Sequence, residues 1–204
     1  VCSSDLAGSI RPANVQVDTL GINVSENTKH KAVLLYDTEQ SEVQLFKNVT
    51  NLIKRAKQTD KPDEFKAFCL TGMSRKERLH AIVQSMDRYY YQYDGIQLVV
   101  IDGIADLVRC ANDEAESVAI IDELYRLAGI YKTCIICVLH FIPNGLKLRG
   151  HLGSELQRKA AAILSIEKDE DPAMSVVKAL KVRDGSPLDV PRSEEHTSEL
   201  QSLE

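Results

Sequence analysis

The sequence predicts an α/β fold: a mostly parallel sheet flanked by helices, with antiparallel strands towards the C-terminal end. Three observations carry this. Short apolar runs alternate with stretches whose apolar residues recur at helical spacing, the order of a sheet built from strand–helix–strand units. One run, Leu98-Val99-Val100-Ile101, is unbroken and passes directly into Asp102-Gly103, which reads as a strand buried on both faces. The last third breaks the alternation, because residues 160–182 read as a strand, an acidic turn over 167–172 and a second strand.

Taken in order, residues 7–31 are polar, carry Pro12 and Gly21, and read as a loop or short helix leading into a strand over 32–36. Asp37-Thr38-Glu39-Gln40-Ser41 forms a turn and cap. A helix over 41–57 follows, with Val43, Phe46, Val49, Ile53 and Ala56 at the spacing of one apolar face. Asp60-Lys61-Pro62 breaks it, and residues 65–70 form a strand ended by Thr71-Gly72. Ser74, with Glu77 three residues on, is a capping box for a helix running to about Tyr93. The rings of Tyr89, Tyr90, Tyr91 and Tyr93 read as packing contacts more readily than as a base-stacking platform. After a loop over 106–113, an amphipathic helix over 114–131 turns Val118, Ile121, Leu124 and Leu127 inward. A buried strand over 133–139 ends on His140, residues 141–158 read as a loop rich in glycine and basic side chains, and Asp184-Gly185-Ser186-Pro187 is a tight turn.

Composition bounds the function. Hydrophobic residues at 44% and charged residues at 27% are ordinary for a globular domain. A formal charge of −5 excludes a wholly basic nucleic-acid binder but leaves room for a local basic groove. No apolar run approaches the roughly 20 residues that span a bilayer, so no membrane partner is expected. Five cysteines without regular spacing point to a reducing cytoplasm. Cys134 and Cys137 have the spacing of a redox or zinc pair, but they lie three apart in an apolar strand and so face opposite sides; they read as structural thiols. Residues 1–6 and 192–204 resemble translated sequencing-adapter DNA, which leaves 7–191 as the expected native domain, truncated at its N-terminal end.

Three strands end on polar groups: the first on Asp37-Thr38-Glu39, the Leu98 strand on Asp102, and the Thr133 strand on His140. In a parallel sheet all three gather at one edge, where ligands of such sheets bind. Nucleotide chemistry needs such a set, with one carboxylate for a metal, a second to orient or deprotonate the attacking water, and a polar group to sense the γ-phosphate. Taken singly, Glu39 also fits a helix cap and His140 a satisfied, partly buried histidine. The coincidence of the three is what points to a site.

These motifs, in this order, resemble the RecA-like P-loop ATPases, particularly the DnaB-type and RepA-type hexameric replicative helicases. The resemblance implies a RecA-like core with Glu39 as the catalytic glutamate, Asp102 as the Walker B carboxylate that holds Mg²⁺, and His140 as the sensor. It places Asp37, Thr38 and Gly103 beside the nucleotide. Gly153-Ser154-Glu155-Leu156-Gln157-Arg158 resembles a further helicase element, although the following Lys159-Ala160-Ala161 lacks its acidic pair. Lys181-Val182-Arg183-Asp184-Gly185 resembles the Lys-x-Arg-x-Gly element that reaches the neighbouring subunit's nucleotide in a hexamer; in a strand, alternation puts Lys181 and Arg183 on one face. The basic residues Lys147, Arg149, His151, Arg158 and Lys159 fall where such motors contact single-stranded DNA, although a solvated surface loop would have the same composition.

The implied function is an ATP-hydrolysing DNA helicase or replication ATPase, plasmid-borne or carried by a mobile element, working as a homo-oligomeric ring with ATP and Mg²⁺. The alternatives are a RecA-like regulatory or recombination ATPase without helicase activity, and an inactive interaction module. One departure bears on all three. No Gly-x-x-x-x-Gly-Lys-Ser/Thr loop occurs in the 204 residues, and family order puts it before the Ala32 strand, so truncation is the expected explanation.

Overall fold

The computed structural model describes residues 2–19, 24–140, 150–168, 174–183 and 190–193. They fall into two units, Cys2–Lys159 and Ala160–Glu204.

The first unit is a parallel four-stranded sheet covered on both faces. Its strands are β1 (Ala32–Asp37), β2 (Phe65–Cys69), β3 (Ile96–Asp102) and β4 (Cys134–Val138), in the order β2-β1-β3-β4. Every residue of β1 is buried, as are Leu98 to Ile101 of β3, which is what runs apolar on both faces require. Alternation splits these side chains between two cores. Leu34, Tyr36, Val99 and Ile101 pack with α3 (Arg75–Gln92), α4 (Glu114–Tyr131) and α5 (Gly150–Lys159). Val33, Leu35, Leu98 and Val100 pack with α1 (Cys2–Ile10) and α2 (Glu42–Arg55) on the other side.

The helices begin where the sequence places caps. Ser41 accepts from the Gln44 amide at 3.3 Å, and Asp113 accepts from the Glu116 amide at 3.1 Å. Ser74 and Glu77 close the capping box, with the Ser74 amide donating to Glu77 at 2.8 Å. These bonds from Ser74 hold the Glu77 carboxyl below its usual range. The tyrosines of α3 pack as expected. Tyr36 stacks on Phe68, Phe68 meets Tyr89, and Tyr89 meets Tyr93, while Lys66 lies over the Tyr89 and Tyr93 rings. Cys69, Cys110 and Cys134 are free thiols.

Three expectations need correcting. In and just after α2, Val49 and Ala56 of the expected stripe face the core with Leu45 and Leu52, but Val43 and Phe46 are 67% and 73% exposed, because the helix is rotated from the face that spacing alone selects. Residues 150–158 are not loop. They form α5, whose Leu152 is buried and whose Leu156, one turn on, packs against the same core, while two glycines mask the helical pattern in sequence. Finally, β4 is an edge strand and only partly covered, with Cys134 exposed, where burial on both faces is expected.

The second unit is an antiparallel sheet in the order β5-β6-β7, built from β5 (Ala162–Lys168), β6 (Met174–Val182) and β7 (Val190–Ser193). The β5–β6 pairing bears out the hairpin expected for 160–182, and Lys178 pairs with Glu167 across it at 2.7 Å. The 184–187 turn lies outside the described residues.

Leu34 is fully buried at the centre of β1. Leu34→Ala is expected to lower the unfolding free energy by about 2–5 kcal/mol. Urea denaturation monitored by circular dichroism measures this; a loss below about 1 kcal/mol would place β1 outside the core.

Candidate functional site

The carboxyl ends of β1 and β3 lie side by side, with Asp37 in register with Asp102. Backbone bonds extend this pairing past both strands. The Thr38 amide donates to the Asp102 carbonyl at 3.0 Å, and the Leu70 amide donates to the Asp37 carbonyl at 2.8 Å. The Thr38 hydroxyl is buried against the carbonyls of Asp102 and Gly103, at 3.0 and 2.8 Å. Asp37, also buried, accepts through Oδ1 from the amides of Glu39 (3.0 Å) and Gln40 (2.8 Å). Asp37 and Thr38 thus fold the turn that presents Glu39, satisfying backbone groups that would otherwise be stranded at the sheet edge.

Gly103 faces this turn. Its φ of +93° is in the left-handed region, and a Cβ there would lie 2.3 Å from Thr38 Oγ1 and 2.6 Å from Glu39 Cγ. Only glycine lets the chain leaving β3 pass this close to the chain leaving β1.

His140, just beyond β4, completes the group. Its Nε2 lies 3.1 Å from Glu39 Oε2, and its side chain is 73% exposed. Burial, followed by the nearby charges of Asp37 and Glu39, raises the Asp102 carboxyl above its usual range; His140 works in the opposite direction. Three carboxylates therefore converge beside the His140 imidazole.

The structure brings Glu39, Asp102, His140, Asp37, Thr38 and Gly103 together as the sequence anticipates. Three other candidates lie on α5. Arg158 pairs with Glu155 at 2.6 Å, Lys159 pairs with Asp122 at 3.0 Å, and His151 is exposed on the first turn of α5. Lys147 and Arg149 lie outside the described residues. In the second unit, Lys181 is opposite Ile163 on β6, and the Arg183 amide extends the ladder to Ala161 at 3.0 Å. Sequence reasoning missed Cys69, whose thiol reaches the Gln40 carbonyl at 3.4 Å; a lone cysteine ending a strand carries no signal of that contact.

Two solved structures share this architecture. One, described as an ATPase domain, matches with a TM-score of 0.51 and 17% identity, over 79% of this chain and 70% of that one. A DnaB-like replicative helicase, solved with attention to its interactions with primase, matches with a TM-score of 0.51 and 16% identity, over 79% of this chain and 48% of that one. The fold is RecA-like. At this identity the likeness is one of fold alone, and neither a protein-family model nor a curated protein matches the chain. Within the RecA-like frame, the turn after β1 and the end of β3 occupy the edge at which parallel α/β sheets take their ligands.

The charge cluster and the tight turn make separate predictions. Gly103→Ala is expected to cost about 1–3 kcal/mol of stability through left-handed strain and the clash with Thr38, read by denaturant titration. Asp102 binds its proton more readily in the folded chain than in the unfolded one, so its ionisation opposes folding. Any stabilisation from this group is present at acid pH and lost as pH rises through the folded carboxyl's range. Asp102→Asn is therefore expected to raise the melting temperature at pH 7, with the gain shrinking as pH falls towards 4. A lower melting temperature at pH 7 would contradict a destabilising charge at Asp102, which burial and then the neighbouring carboxylates produce.

Proposed function

We propose that this chain is the core of an ATP-hydrolysing replication helicase or a closely related replication ATPase. The observation that carries the reading is the convergence of Glu39, Asp102 and His140 at the carboxyl ends of three parallel strands. Glu39 orients the attacking water and takes its proton, and His140, hydrogen-bonded to Glu39, links that base to the γ-phosphate. The Asp102 carboxylate takes no hydrogen bond from a described residue, and repulsion from its neighbours favours a cation beside it. Among the described residues, no group of three or more His, Cys, Asp or Glu side chains is arranged to hold a metal by itself. Mg²⁺ is held by one or two carboxylates together with water and substrate phosphates, and Asp102 would supply such a carboxylate. Bound there, Mg²⁺ would neutralise charge on the phosphates.

The placement of α1 supports an upstream phosphate loop. Crossovers between parallel strands keep one hand, and α1 shares the sheet face of α2. A parallel strand feeding α1 on that face would lie on the outer side of β4, the partly covered edge. Lys181 and Arg183 would act across a subunit interface on the neighbour's nucleotide, in a hexameric ring in the cytoplasm. Lys147 and Arg149, with His151, Arg158 and Lys159, would meet single-stranded DNA phosphates, and a plasmid or mobile element is the source this reading favours. The inactive interaction module is a second reading, favoured by the lack of a Gly-x-x-x-x-Gly-Lys-Ser/Thr loop in these residues.

The deciding experiment extends the reading frame past Val1 and measures turnover of the resulting protein. A Gly-rich Lys-Ser or Lys-Thr loop is expected, with Glu39→Gln lowering kcat by about 10²–10⁴-fold. The 204-residue chain alone is expected to turn over ATP negligibly. Turnover by this chain that Glu39→Gln abolishes would overturn the need for that loop, and an extended protein with no turnover would favour the interaction module.

A further inference from the structure

Arg78 lies in the first turn of α3, away from the sheet edge in sequence, and sequence reasoning gives it no role. Its side chain is largely buried. Nε donates to the carbonyls of Leu70 and Met73, each at 3.0 Å, and Nη2 to that of Thr71 at 3.3 Å. Nη1 reaches across to Asp106, 3.4 Å from its carbonyl and 3.2 Å from its carboxylate. One guanidinium therefore grips two segments at once: the loop leaving β2, and the 3-10 turn over Ile104–Leu107 that follows Gly103.

Each gripped segment is one hydrogen bond from the candidate site. On one side, the Leu70 amide donates to the Asp37 carbonyl, and the Asp37 carboxylate holds the amides of Glu39 and Gln40. On the other, the Asp106 amide donates to the Gly103 carbonyl, which also accepts from Thr38. We infer that Arg78 is a positioning residue that sets the separation between the Glu39 turn and the Asp102–Gly103 turn by bracing both from behind. The inference rests on the ATPase reading for its catalytic meaning but not for the brace itself. A rigid fork of five N–H donors suits this task, and a lysine ammonium cannot span both segments in the same way.

The test is residue-resolved amide hydrogen exchange on the 204-residue chain, which needs no nucleotide. In Arg78→Ala, exchange at Leu70, Glu39, Gln40 and Asp106 is expected to accelerate by about tenfold or more, with Val99 and Leu124 unchanged. Acceleration confined to the first turn of α3, or shared equally by all amides, would overturn the brace. If Arg78→Ala does not fold, Arg78→Lys serves instead: the same four amides should loosen, and wild-type exchange there would overturn the proposal. In the extended protein with its phosphate loop, Arg78→Lys is expected to lower kcat by up to about 100-fold with KM for ATP nearly unchanged. A matching rise in KM with kcat preserved would refute positioning. Altered exchange in a protein with no turnover would leave the brace standing and sink the ATPase reading alone.

Discussion

The contact between the Thr38 hydroxyl and the backbone of Asp102 and Gly103 is the constraint on which the candidate site depends. It joins the ends of two strands that are neighbours in the sheet but 64 and 65 residues apart in sequence. Because the hydroxyl is buried, leaving it without those acceptors would cost more than a surface hydrogen bond returns. The same closeness requires glycine at 103 and draws Glu39 towards Asp102. It therefore sets stability against function at one point: the backbone is well satisfied, while the carboxylates it brings together repel. A folded chain keeps such a cluster only where the surrounding bonds over-determine it, as the bonds from Asp37 and Thr38 do here.

Much of this was legible in the sequence. An apolar run ending in Asp-Gly carries both halves of its message locally: the run gives a buried strand, and the glycine marks a backbone turn that a Cβ would obstruct. The capping box was legible for the same reason, since Ser74 and Glu77 lie three residues apart, whereas the tyrosines of α3 find partners such as Phe68 from distant strands. What was not legible depends on distant partners. Cys69 meets Gln40, and Arg78 meets Asp106, only once β2 and α3 have folded back along β1 and β3. No spacing rule encodes such a meeting.

The misread helices show a second limit. In α2 two apolar stripes share Val49 and Ala56: one runs through Val43 and Phe46, the other through Leu45 and Leu52. Packing against Val33 and Leu35 selects the second. Periodicity detects an amphipathic helix but cannot choose between overlapping stripes, because the choice belongs to the sheet. In α5 the failure is one of propensity. Gly150 and Gly153 weaken the local signal by about 1 kcal/mol each, and the burial of Leu152 overrides them.

The location of the site follows from chirality. From β1 the chain moves one way to β2 through α2, and it returns past β1 to β3 through α3 on the opposite face. A constant hand of crossover requires this change of face when the direction of travel reverses. Consequently the helices following β1 and β3 diverge to opposite sides, and a crevice opens between the carboxyl ends of those two strands. Glu39 and Asp102 stand on its two walls. The strands that carry the polar termini are thus the strands that topology separates, and His140 enters from β4, the next strand along. A strand order read without any knowledge of the side chains would select the same two ends, so sheet topology and the polar termini identify the crevice independently.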